Sequence, residues 1–124
     1  MPELKQAIII RKDLNLNKRQ VANQVAQASL KFIIENNEAD MGGKLVVSLS
    51  SDEAAWLTGS FSQDILGARS KDQLEDIMLR AEILGIEVYP VFVQKSENIE
   101  TTCLALGPDD PEIINKLIHG LKPL

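Results

Sequence analysis

The sequence predicts an α/β fold, a mixed four-stranded sheet with helices on both faces in a three-layer α/β/α arrangement. Three observations carry that expectation. The runs Ala7-Ile8-Ile9-Ile10 and Ile65-Leu66-Gly67-Ala68 are apolar without polar alternation, the pattern of strands covered on both sides. Helix-periodic segments with start and stop signals separate the first three strands, which favours parallel pairing through right-handed crossovers. The third and fourth strands are joined by only about seven residues, Gln94 to Glu100, so they are expected to pair antiparallel. With 124 residues, 44% of them hydrophobic, and no internal repeat or linker, the expectation is one domain over residues 1–124.

The elements follow in order. After the first strand, Lys18 to Asn36 reads as a helix, with Val21, Val25, Ala28, Phe32 and Ile33 at three- and four-residue steps. Asn36-Asn37 and Met41-Gly42-Gly43 mark its end and a loop, and Lys44 to Ser48 reads as a short extended piece. Ser50 with Glu53 forms a capping box for a short helix under Ala54-Ala55-Trp56-Leu57. Ser70 with Gln73 forms another, opening a helix that carries Leu74, Ile77, Met78, Ala81 and Leu84 and stops at Gly85. Glu87 to Val93 is a strand pushed to an edge by Pro90, which lacks an N–H. Thr101 to Leu106 is the fourth strand. Asp110-Pro111 then starts a last helix ending at Gly120.

Composition excludes several classes. One Cys and one His exclude a disulfide framework and a Cys/His zinc cage, so no metal is expected. No Gly-x-Gly-x-x-Gly, Walker-type or Gly-x-Ser-x-Gly motif is present, and no cofactor is expected. No apolar run reaches the roughly 18 residues of a membrane span, and Met1-Pro2-Glu3 lacks the order of a signal peptide. The expectation is a soluble, cytoplasmic protein without a membrane partner. His119, in the last turn of the terminal helix, suits a capping or surface role. Cys103, inside a predicted buried strand, reads as core, and Trp56 as an ordinary packing anchor.

The formal charge of -5 discourages wholesale nucleic-acid binding, but it is an average. Residues 1–31 carry six basic and two acidic side chains, a net +4, and the remainder carries -9. Within that basic third, Arg11, Lys12, Lys18 and Arg19 surround the passage from the first strand to the first helix. Gln20, Gln24 and Gln27 share one helix face with Asn23 beside them. Helix-start donors plus Lys18 and Arg19 make a mouth suited to phosphate. An exposed polar face that binds nothing remains the other reading.

Here the chain resembles the class II peptidyl-tRNA hydrolases, whose pattern runs Lys-Gln, apolar strand, Arg-x-Asp-Leu-x-Met-x-Lys-Gly-Lys-x-Ala-x-Gln-x-x-His-Ala. Arg11, Asp13, Leu14, Lys18, Ala22, Gln24 and Ala28 match it. The bacterial branch is also similar at Trp56-Leu57-Thr58-Gly59-Ser60-Phe61, Ala81-Glu82-Ile83-Leu84-Gly85, and from Leu106-Gly107-Pro108 to Leu121-Lys122. The resemblance implies that family's three-layer fold, tRNA or peptidyl-tRNA as partner, and a homodimer. It places substrate contacts at Arg11, Lys12, Lys18, Arg19, Gln24 and Gln27.

The departures fall where the chemistry belongs. Gln20 replaces the second Lys of Lys-Gly-Lys, Arg19 its Gly, and Gln27 the family's His. Where the family carries Asp-Ala-Gly and a Thr after the third strand, this chain has Gln94-Lys95-Ser96-Glu97. Glutamine can hold a water but cannot exchange a proton near neutral pH. Two readings stay open, beside the blander one of a structural partner protein whose acidic body is the working surface. In one, ester hydrolysis is impaired or lost and the chain is a tRNA-binding or self-associating module. In the other it is an active hydrolase using Lys18 and a water held by Gln24 and Gln27, with Lys95 or Glu97 replacing the missing groups.

Overall fold

The computed structural model describes residues 3–37, 42–95 and 97–124. Strand β1 (Lys5–Arg11) is followed by a 3-10 turn (Lys12–Leu14), α1 (Lys18–Asn36), α2 (Ser51–Thr58), β2 (Gln63–Ala68) and α3 (Lys71–Ile83). Then come β3 (Val88–Lys95), β4 (Asn98–Asp109), α4 (Pro111–Ile118) and β5 (Lys122–Pro123). The sheet order is β3-β4-β1-β2-β5. β1 and β2 are parallel, and the other neighbouring pairs are antiparallel.

The apolar run of residues 7–10 occupies the central strand, where Ala7, Ile8, Ile9 and Ile10 are at most 1% exposed. Alternation divides it between two cores. Ala7 and Ile9 join Leu74, Ile77 and Ala81 of α3 and Ile114 and Leu117 of α4 on one face. Ile8 and Ile10 join Ala28 and Phe32 of α1 and Trp56 of α2 on the other. Burial of each isoleucine side chain contributes about 1.5–3 kcal/mol, so this run is a major stabilising element. Pro90 sits on β3, an edge strand as its missing N–H demands.

Several expectations need correction. The sheet has five strands, because the chain after Gly120 returns along β2, pairing Lys122 with Gly67 and Pro123 with Leu66. Two polar or cyclic residues at the chain's end carry no hydropathy signal. The third and fourth strands also run further than predicted, out to the pair Lys95–Asn98. That part of the hairpin covers no core, so its residues need not be apolar. Of the predicted extended piece at residues 44–48 only Leu45 makes an isolated bridge, and Leu45, Val46 and Val47 are exposed. Met41 lies outside the described residues.

Local signals work as expected elsewhere. Ser50 Oγ accepts from Glu53 N, and Glu53 Oε1 in turn accepts from Ser50 N. Ser70 caps α3 through Gln73 N, but the Gln73 side chain accepts from Arg69 N instead of closing the box on Ser70. Gly85, at φ +76°, ends α3 by letting Ile86 N reach back to Ala81 O at 2.9 Å. Trp56 is held between Phe32, edge-on at 5.8 Å, and Phe61, stacked at 4.6 Å. Its indole donates to Ser62 O.

Candidate functional site

The carboxyl ends of β1 and β2 form a rim on which the 3-10 turn and the start of α1 sit. Asn15, in the left-handed region at φ 52°, closes the turn by donating from its N–H to Lys12 O. Asn17 then caps α1: its side chain accepts from Gln20 N, and Gln20 Oε1 accepts from Asn17 N, both at 2.9 Å. This capping box, which the sequence reading did not name, assigns Gln20 a local role, stabilising the helix entrance by about 1 kcal/mol. Lys18 and Arg19 project from the first turn, and both are exposed, as is Lys12.

Arg11 has a different environment from its basic neighbours. It is 6% exposed, and its Nε and Nη2 donate to Asp13 Oδ1 and Oδ2 at 3.1 and 2.6 Å. Its Nη1 donates to Thr101 O at 3.3 Å and lies 3.8 Å from Glu100 Oε1. A buried guanidinium needs this compensation. The hydrogen bond from Arg11 holds Asp13 below the usual carboxylate range, so Asp13 remains an anion and a weak proton acceptor. Arg11 thus ties the turn to β4, and its charge is already matched.

Gln24 is placed differently from the expected polar face. It is 8% exposed, in line with Ala28 and Phe32 at four-residue steps, while Gln20 and Gln27 face outward. Its partner is Thr102, whose hydroxyl donates to Gln24 Oε1. A β-bulge makes this possible: Val91 pairs with Cys103 but Phe92 with Thr101, leaving Thr102 as the extra residue. The bulge turns its side chain toward α1 together with Cys103. Gln27 Nε2 instead donates to Asn23 Oδ1. Gln24 and Gln27 therefore have separate partners.

Thr102 and Glu100 are the residues that the sequence reading did not single out. The signal for Thr102 was a hydroxyl inside an otherwise apolar strand, a group that must find a partner when buried. Glu97 is exposed at the β3–β4 turn; Ser96 and the Lys95 side chain lie outside what the structure describes. Cys103 is fully buried, and burial pushes its thiol up to about 12, which suits packing and not nucleophilic attack. His119 ends α4 one residue before Gly120, so the fold returns it to the rim end of the sheet despite its place late in the chain. Among the described residues, no group of three or more His, Cys, Asp or Glu side chains is arranged to hold a metal ion. No helix among them is long and apolar enough to cross a membrane.

Comparison with known proteins gives this arrangement a context. Residues 4–124 match the family model described as Peptidyl-tRNA hydrolase PTH2. A peptidyl-tRNA hydrolase of Haloquadratum walsbyi is 32% identical over 121 residues, covering 95% of this chain and 97% of that protein. One of Methanothermobacter thermautotrophicus is 32% identical over 124 residues, covering 98% of this chain and 100% of that protein. Both organisms are archaea. A solved structure of a protein of unknown function from Agrobacterium tumefaciens superimposes with a TM-score of 0.63 at 17% identity, over 100% of this chain and 99% of that one. That likeness concerns the fold alone. Full-length similarity and the strand-turn-helix entrance that carries Arg11, Asp13, Lys18 and Gln24 lead to one assignment: the chain belongs to the PTH2 family of peptidyl-tRNA hydrolases.

Proposed function

We propose that this chain, acting as one domain in the cytoplasm, binds tRNA or peptidyl-tRNA at the carboxyl rim with ester hydrolysis impaired or lost. The observation that carries the proposal is the state of the two replaced positions. Gln20 is occupied by the α1 capping box and Gln27 by Asn23, so neither offers the cation or the imidazole that the family pattern has there. Hydrolysis of the ester needs an activated water and a counter-charge for the developing oxyanion. Lys18 supplies a counter-charge, but Asp13 is engaged by Arg11 and holds its proton too weakly to serve as a base. The bacterial-type motif at Trp56–Phe61 supports placing the chain in that branch, diverged at these positions.

The second reading, an active hydrolase, is favoured by the full-length relatives named peptidyl-tRNA hydrolase and by the Gln24–Thr102 pair beside the helix entrance. That pair can orient a water. Self-association through the exposed Leu30 and Ile34 of α1 belongs to the module reading. The deciding measurement is release of peptide from purified peptidyl-tRNA by the wild type beside a Gln20→Lys/Gln27→His variant. The expected outcome is background release by the wild type and a gain in the variant. Wild-type release well above background overturns the impaired reading and establishes the hydrolase.

A further inference from the structure

One corner of the rim gathers cations that the entrance to α1 does not use. Ile10 of β1 and Lys122 of β5 both pair with Gly67 of β2, so Lys12 and Arg69, just past the strand ends, converge on Lys122. Lys12, Arg69, Gln73 and Lys122, with the chain at Gly67 and Gly120, line a cleft of about 280 Å³ that has no carboxylate in its wall. Gly67 is part of its construction. A Cβ there would stand 1.9 Å from Lys12 Cε, so the lysine chain lies flat across the glycine.

The ion pairs of the molecule make the corner distinctive. Lys5, Arg11, Lys31, Lys71 and Arg80 each meet a carboxylate. Lys12, Lys18, Arg19, Arg69 and Lys122 appear in no ion pair among the described residues; Lys116 of α4 shares that state but stands away from them, whereas these five gather on the rim. Gathering like charges without counter-charges is unfavourable. An anion at the corner removes that cost.

We propose that the Lys12–Arg69–Lys122 corner is a phosphate subsite for the RNA backbone, reached by a strand that also passes Lys18 and Arg19. The proposal rests on the tRNA-binding reading above and adds residues to it. Long side chains on an open corner, continuous with further cations along the rim, suit a polyanion. A lone phosphate is better held by converging backbone amides in an enclosed site.

The test is the binding of deacylated tRNA over a range of salt. The proteins compared are the wild type, Arg69→Gln/Lys122→Gln, Lys18→Gln/Arg19→Gln, Gly67→Ala and, as a control, Lys116→Gln. The corner double variant is expected to bind about tenfold more weakly at low salt, with a log–log salt slope shallower by about 1.5–2. Gly67→Ala is expected to weaken binding several-fold with no change in charge, because it displaces Lys12. The Lys116 control is expected to match the wild type.

If the Lys18/Arg19 variant weakens binding but the corner variant matches the wild type, the subsite falls and the tRNA reading stands. If wild-type protein does not retain tRNA at low salt, both fall. Saturable binding of inorganic phosphate that depends on Arg69 and Lys122, with tRNA affinity independent of them, reassigns the corner to a small anion and overturns the proposal. Equal thermal stability of the variants and the wild type makes the loss a binding effect.

Discussion

The two ends of the β1–β2 pair are built on opposite rules. At the amino end, Lys5 pairs with Asp64 and donates to Asn115 Oδ1 at 2.7 Å. Gln63 Nε2 donates to Gln6 Oε1 at 2.7 Å and to Ser29 Oγ at 3.1 Å, while Gln6 Nε2 donates to Ser29 O. At the carboxyl end, Lys12, Lys18, Arg19, Arg69 and Lys122 have no such partners among the described residues. Matched polar groups lock α1 onto the strands at one end, and unmatched charge is displayed at the other. Ligands of open α/β sheets bind beyond the carboxyl ends of the strands, so on the proposed tRNA-binding reading the difference separates a fastening from a recognition surface.

The largest expected effect tests the fastening. Gln6 is fully buried, and Gln6→Ala removes packing volume and leaves Gln63 and the Ser29 carbonyl short of a partner. The expected loss is about 2–4 kcal/mol in urea unfolding, with tRNA affinity unchanged. Lys12→Gln and Arg69→Gln are expected to stay within about 0.5 kcal/mol of the wild type in the same experiment. A Gln6 variant as stable as the wild type, or a rim variant that unfolds readily, would break the contrast between the two ends.

A smaller effect is expected where the two rules meet. Thr102 is 2% exposed, and Thr102→Val removes the hydroxyl that satisfies Gln24 Oε1. The expected cost is about 1–2 kcal/mol, because an almost buried amide loses its donor. Adding Gln24→Leu to that variant should restore part of the loss, since an apolar pair of similar shape leaves nothing unsatisfied. A double variant no more stable than Thr102→Val would show that the pair does not act as a unit.

What was legible in the sequence follows the same division. The central strand, the four helices and the edge position of β3 were readable, because burial, capping and a proline's missing N–H leave local marks at Ile8–Ile10, Ser50, Ser70, Asp110 and Pro90. β5 was not, since an edge of two residues is defined by its partner and carries no pattern of its own. The site was half legible. Lys12, Lys18 and Arg19 lie on the surface as their charge suggests. Gln24 was assigned to a polar helix face because only its own helix is visible in the sequence; the hydroxyl that draws it inward comes from a bulge 78 residues later. Arg11 is indistinguishable from Lys12 in charge, and only the carboxylates of Asp13 and Glu100 set it apart.

The smallest expected effect concerns that distinction. Arg11 sits on the rim by position yet follows the rule of the amino end, with its charge matched by Asp13. Because the folded-state pKa of Asp13 is lowered, chiefly by the hydrogen bond from Arg11, the pair contributes stability at pH values above the unfolded carboxylate range. That contribution is lost as pH falls through the lowered value. Asp13→Asn, measured against the wild type by urea unfolding, should therefore be less stable by a constant amount above about pH 5, and the gap should close as pH falls through the lowered value. A gap that persists unchanged into acid would mean that Asp13 does not titrate against Arg11. Arg11 would then be held by Thr101 O and Glu100 in place of Asp13, still buried and still unlike the exposed Lys12.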